Sequence, residues 1–282
     1  MKGLITAFSF IFLLSFTSCA DVLIAISNIP VKAVSNLVDK KQDNLAKIDK
    51  KDFSLPIGKD SFIEFLWIAK LKIWASKYEI TNKQYLLFNS FHNVPTYYSR
   101  RLDLPNQPVV YVSWDDANSF CNWLNKNYLF NLPAGYMFRL PTEEEWVELA
   151  SCGKNKIFPW GNTWPPPNSW NYKGEEGAGF FYDFFEKEPY IVGHNDSFIV
   201  SAPVEKSGVN EWGLYGIGGN VWEWCLNWFD NTKVTKALRG ASWYNWEKEI
   251  LAITNRSDAL PTKNNAMIGF RVVIAPPPLI DY

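Results

Sequence analysis

From Phe62 onward, apolar and polar residues alternate in short runs, "FIEFLWIAKLKIWASKYEI", with the two-residue period of half-buried strands. The next stretch, "TNKQYLLFNSF", puts Thr81 where its hydroxyl can cap a short helix. A second helix is predicted from "SWDDANSFCNWLNKN". Ser113 is its cap, two aspartates lie in the electropositive first turn, and Ala117, Phe120, Cys121 and Leu124 share one face. "RLPTEEEWVELAS" repeats the device: Thr142 and Glu145 form a capping box, and Trp146 and Leu149 face inward. Beyond it, segments rich in Gly, Pro, Asn and Trp carry little periodicity, so the pattern predicts an α+β scaffold bearing large ordered loops.

The N-terminal pattern is different. "MKGLITAFSFIFLLSFTSC" has one lysine and an apolar run from Leu4 to Phe16, which is the layout of a secretory signal and too short to span a bilayer comfortably. "FTSC" resembles a relaxed bacterial lipobox, with Phe16 where leucine is commoner. That resemblance implies cleavage before Cys19 and its lipidation, and ordinary cleavage near Ala20 is the competing outcome. Residues 1–18 are thus expected to be a lipoprotein signal peptide, 19–61 a tether, 62–276 the globular domain and 277–282 a tail. In the tether, Val34, Leu37, Val38, Leu45 and Ile48 suit a weak amphipathic helix, and aspartates alternating with lysines argue against a polybasic membrane patch. The mature chain is expected to be exported and lipid-anchored to a bacterial outer membrane, at the cell surface.

Composition narrows the function classes. The chain has 282 residues, 47% hydrophobic and 17% aromatic, enough to bury a substantial core. A net charge of -1 gives no field that would gather nucleic acid, so no nucleic-acid partner is expected. Fourteen tryptophans serve either core or contact. With Cys19 lipidated, Cys121, Cys152 and Cys225 allow one bridge at most, and buried free thiols are the simpler reading. His92 and His194 are far apart in sequence, which gives a zinc or iron site little support.

The segments "YEITNKQYLLF", "PVVYVSWDDANSFCNWLN", "FRLPTEEEWVELA", "FPWGN", "GLYGIGGNVWEWCLNWF", "LRGASW" and "IGFRVV" follow one another in a specific order. In that order they resemble the formylglycine-generating-enzyme (sulfatase-modifying factor) domain over roughly Phe62 to Ile274. The resemblance implies a C-type-lectin-like α+β fold with little regular secondary structure, long loops and bound calcium. It does not by itself imply the enzyme. Members that oxidise cysteine hold copper through a thiolate pair, and those positions fall on Asn245 and Ile250, neither of which is a soft ligand; no copper is expected. One calcium site carries over to Asn171, Tyr172, Asp196 and Phe198. A second would use the Gly219 and Val221 carbonyls and Glu223, but Gly216 replaces its Asn or Asp. Glu223 is therefore either a metal ligand or a buried carboxylate bonded to backbone amides of its own loop. Arg239 and Arg271 are expected to bond loop carbonyls.

"RGASWYNW", "NRSDALPTKNNAM" and "IGFRVV" further resemble the C-terminal layout of the variable proteins of diversity-generating retroelements, a Treponema-type branch that includes surface lipoproteins. This implies a ligand-binding surface made by Tyr244, Thr254, Ser257, Asp258, Leu260, Thr262 and Ala266, with Trp246 added from its composition. Trp246 and Lys263 depart from adenine-directed change of an asparagine codon, so they arose by ordinary mutation or the gene is a static relative. The expected function is a non-catalytic, monomeric surface lipoprotein binding a protein or other macromolecule. The competing readings are an oxidase with an altered site, and a structural or assembly lipoprotein.

Overall fold

The computed structural model describes residues 50–179 and 189–278. The signal segment 1–18, Cys19, the tether up to residue 49 and residues 279–282 of the tail lie outside the described residues. Folded structure begins earlier than the alternation suggested. Strand β1 (Phe53–Gly58) pairs with β2 (Ser61–Ile68), Leu55 opposite Ile63, so the expected tether boundary at residue 61 is corrected to before Phe53. Leu55 and Ile57 alternate with exposed Ser54 and Pro56, and this edge position tolerates the proline.

Two sheets make the frame. The first has the order β1-β2-β3-β9-β4, where β3 is Ile73–Ser76, β4 Met137–Arg139 and β9 Val273–Ala275. Its last strand in sequence lies between β3 and β4, with Ile274 opposite both Trp74 and Phe138. The second has the order β7-β6-β5-β8, with β5 at Trp222–Trp228, β6 at Lys236–Arg239, β7 at Ser257–Ala259 and β8 at Ile268–Gly269. β3 and β6 are buried along their whole length, as strands covered on both faces are.

The three expected helices form. α1 (Asn82–Tyr85), α2 (Trp114–Tyr128) and α3 (Glu143–Ser151) each start at a reciprocal capping box, from Thr81, Ser113 and Thr142. α2 buries Ala117, Phe120, Cys121 and Leu124, the predicted stripe. Phe120 meets Tyr85, Phe88, Trp123 and Phe270, and burying a side chain of that size stabilises by about 1.5–3 kcal/mol. α3 ends at Cys152 in the left-handed region (φ 53°). Cys121, Cys152 and Cys225 are free and buried. No helix among the described residues is long and apolar enough to cross a membrane. Between α3 and β5 the described residues hold two short 3-10 turns, Glu175–Gly177 and Val204–Lys206, in otherwise irregular chain.

Candidate functional site

The loop after β6 is built on three fixed contacts. Ser242 closes a turn with Asn245, whose Oδ1 accepts from the Ser242 amide and hydroxyl, both at 3.0 Å. Trp243 is buried, donating its amide to the Asn220 carbonyl (2.9 Å) and Nε1 to the Ala266 carbonyl (3.2 Å). Tyr244 and Trp246 are half-buried with ring centroids 6.3 Å apart, and the Lys173 ammonium lies 4.7 Å from each. Lys173 is itself buried and donates its amide to the Asn245 carbonyl (3.1 Å), so the cation is locked over two aromatic faces. Tyr97 extends the cluster, 5.1 Å from Trp243 and 6.3 Å from Tyr244. Where an oxidase would carry its thiolates, Asn245 closes a turn and Ile250 packs against the core. Trp246 also packs there, so it belongs partly to surface and partly to core.

A second device fixes the loop into β7. Arg239 donates from Nη1 to the carbonyls of Ile253, Thr254 and Asn255, as expected for this arginine, and from Nε to Glu143 (2.8 Å). Arg256 reaches the same carboxylate twice, at 2.8 and 2.6 Å, and its guanidinium lies 4.3 Å from the centre of the Phe229 ring. Glu143, at the N-terminus of α3, thus pairs with two arginines, of which Arg239 clamps the carbonyls of residues 253–255 and Arg256 bonds that of Phe229. On this clamp Thr254 and Asp258 are exposed and Ser257 is half-buried; Leu260 and Thr262 follow, exposed, in the next turn. Ala266 is 2% exposed and packs with Trp243 in the core, so its place among the ligand contacts is withdrawn.

Asn171, Tyr172, Asp196 and Phe198 are brought together as expected. Asp196, buried, accepts from Asn171 Nδ2 (3.1 Å), the Tyr172 amide (3.0 Å) and the Phe198 amide (2.7 Å). Among the described residues no lysine or arginine lies within 4 Å of it, and His194 Nε2 stands 3.6 Å away without a hydrogen-bond partner. The Asp196 carboxylate and the Asn171 amide oxygen are hard oxygens of the kind calcium takes, and here the carboxylate accepts three N–H bonds while the Asn171 oxygen accepts from the Ala202 amide (3.4 Å).

The second metal position does not fit. Glu223 is fully buried, and its oxygens accept from Arg271 Nη2 (2.6 Å), Arg271 Nε (2.7 Å) and Trp146 Nε1 (2.9 Å), so side chains satisfy it and a guanidinium supplies the positive charge. Arg271 also bonds the Ser76 and Tyr215 carbonyls. At Gly216, φ +59°, a Cβ would lie 2.2 Å from the Glu79 carboxylate, so the missing Asn or Asp would require Glu79 to move. Glu79 is buried with Asn220 Nδ2 on one oxygen (2.9 Å) and nothing on the other. Burial pushes its pKa up to about 7, with Arg271 pulling it down and Glu223 pushing it up. Glu223 as a calcium ligand is thereby corrected to half of a buried ion pair.

Lys173, Glu143 and Glu79 were not among the expected site residues. Glu143 had a signal, as the first of three acidic residues after a cap, but Lys173 meets Tyr244 across 71 positions and no local pattern announces that.

With this geometry in place, the comparisons are specific. The sulfatase-modifying factor enzyme 1-like domain matches residues 67–276, and the chain belongs to that family. It is 29% identical over 185 residues to the formylglycine-generating enzyme of Streptomyces coelicolor, covering 59% of this chain and 52% of that protein. It is 33% identical over 172 residues to the inactive C-alpha-formylglycine-generating enzyme 2 of Bos taurus, covering 58% and 48%. The chain thus spans about half the length of these curated relatives. Among solved structures, Treponema denticola variable protein 1 superposes with a TM-score of 0.61 at 19% identity, covering 80% of this chain and 99% of that one. The fold is the C-type-lectin-like α+β fold of the formylglycine-generating enzymes, in the layout of the variable proteins.

Proposed function

We propose that this chain is a non-catalytic, lipid-anchored surface protein that binds a protein ligand through the loops following β6. The observation that carries this reading is the Tyr244, Trp246 and Lys173 cluster, fixed on a bonded turn where the oxidases need thiolates. Large aromatics on a rigid backbone give contact area at little entropic cost. Thr254, Ser257, Asp258, Leu260 and Thr262 add a polar rim on the loop that Arg239 clamps. A relative named as an inactive enzyme is consistent with family members that have left the chemistry behind.

In this proposal Cys19 carries the lipid, the tether holds a monomeric domain at the outer membrane, and one calcium ion staples the Asn171, Tyr172, Asp196 and Phe198 loops. The test has two arms. The full chain, panned against a displayed protein library, is expected to yield binders that compete at the Tyr244 and Trp246 face. Incubated with copper, oxygen and a cysteine peptide, it is expected to leave the peptide mass unchanged. Formylglycine in the peptide would overturn the non-catalytic claim, and binders insensitive to Tyr244→Ser and Trp246→Ser would overturn the site.

A further inference from the structure

The outer strands of the two sheets are β1, β4, β8 and β7, and among the described residues the first three have closed edges. β1 carries Pro56, which has no amide to offer, and its Ile57 carbonyl accepts from the Tyr128 hydroxyl (2.8 Å). β4 is covered by α2: Asn125 Nδ2 donates to the Phe138 carbonyl (2.7 Å), and Asn125 Oδ1 accepts from the Phe138 amide (2.9 Å). β8 is bracketed by other loops, Ile80 donating its amide to the Phe270 carbonyl and Tyr111 to that of Asn265, both at 2.9 Å.

β7 is the exception. Among the described residues, nothing bonds the backbone of Ser257, Asp258 or Ala259 on the side away from β6. The pairing with β6 is regular, Asp258 opposite Ala237, so alternate amides and carbonyls of β7 point outward. Both ends of the strand are fixed. Arg239 bonds the carbonyls of residues 253–255 before it, and the Pro261 carbonyl after it accepts from the Trp114 amide (2.9 Å). An incoming strand therefore meets an edge already in place, which lowers the entropic cost of binding.

The side chains select the strand that fits. Asp258 is exposed and has no ion pair among the described residues. Leu260 is 53% exposed, and Val234, 55% exposed, lies just before Lys236, which pairs with Ala259, so one end of the edge is apolar. A second copy of this chain pairing antiparallel about Asp258 would set aspartate against aspartate, which disfavours self-association. A lysine or arginine opposite Asp258, with an apolar neighbour toward Leu260, is favoured instead.

We propose that β7 receives an extended, basic segment of a protein partner as an added strand of the second sheet. This rests on the reading of the C-terminal loops as a binding face and names how the partner is held there. The probe is a capped peptide, Thr-Val-Lys-Val-Thr, titrated into the isotope-labelled full chain. Saturable amide shifts and slowed hydrogen exchange are expected at Ser257, Asp258 and Ala259. Methylating the backbone nitrogens of the two valines, or instead those of the lysine and threonines, tests the strand pattern. One of these two peptides is expected to bind about tenfold more weakly and the other to keep its affinity. Lysine-to-glutamate exchange in the peptide, or Asp258→Asn in the chain, is expected to weaken binding about threefold. No saturable shift, equal binding by both methylated peptides, or indifference to both charge changes would overturn the proposal. So would β7 outward amides already protected in the free chain, by a second copy or by another segment of this one. A panned protein binder separates this proposal from the aromatic site: one that ignores Tyr244 and Trp246 while the peptide still binds β7 dismisses the aromatic site alone. A binder that needs both residues while no peptide binds dismisses the β7 edge alone.

Discussion

Glu223 and Arg271 form a buried ion pair at the position where the resemblance implied a second metal site. Both are fully buried and joined by bonds of 2.6 and 2.7 Å, so removing one partner strands a charge in the core. Arg271→Met is expected to lower stability by about 3–5 kcal/mol, measured by chemical denaturation. Glu79 beside them gives a pH dependence. Its pKa in the folded chain is about 7, above the ordinary 4.5, so the folded state holds the proton more tightly than the unfolded one. The stability this contributes is complete below about pH 4.5 and is lost as pH rises through about 7, amounting to about 3 kcal/mol. Denaturation midpoints across that window are expected to fall for the native chain and to flatten for Glu79→Gln; an unchanged slope in the variant would remove Glu79 as the cause.

At the scale of elements, the binding face depends on the clamp from α3. Glu143 holds Arg239 and Arg256, and Arg239 holds three consecutive carbonyls of the loop that leads into β7. Glu143→Gln weakens charge-assisted bonds worth about 1.5–3 kcal/mol each, so amide hydrogen exchange over residues 253–258 is expected to accelerate roughly tenfold or more while α2 keeps its protection. The helices were legible in the sequence because caps and stripes are local: "SWDD" and "PTEEE" name their own boundaries. β1 was not, since Pro56 interrupts its short alternation and its reason to be a strand is the pairing with β2. Ala266 was misplaced for a related reason. A spacing carried over from a layout cannot show that Trp243 covers the position, which is a contact across 23 residues. Asn245 and Ile250, by contrast, were informative at once, because a missing thiolate is a matter of residue type alone.

For the whole molecule, family and fold were readable from motif order, whereas the partners of Lys173 and Glu79 depend on how distant loops meet. If calcium staples the Asn171 and Asp196 loops, calcium at about a hundred times its dissociation constant stabilises the chain by about 3 kcal/mol. Chelation is then expected to lower the melting temperature of the native chain and to leave Asp196→Asn unaffected; equal sensitivity in both would dismiss this site. The proposed function is contact in place of oxidation. Its most direct test is the dissociation constant of a panned protein binder for the native chain and for the Tyr244→Ala, Trp246→Ala double variant, with Tm followed in parallel. The account predicts at least about a tenfold weaker complex with little loss of fold, the scale of a binding hot spot; an unchanged dissociation constant in a folded double variant would contradict it.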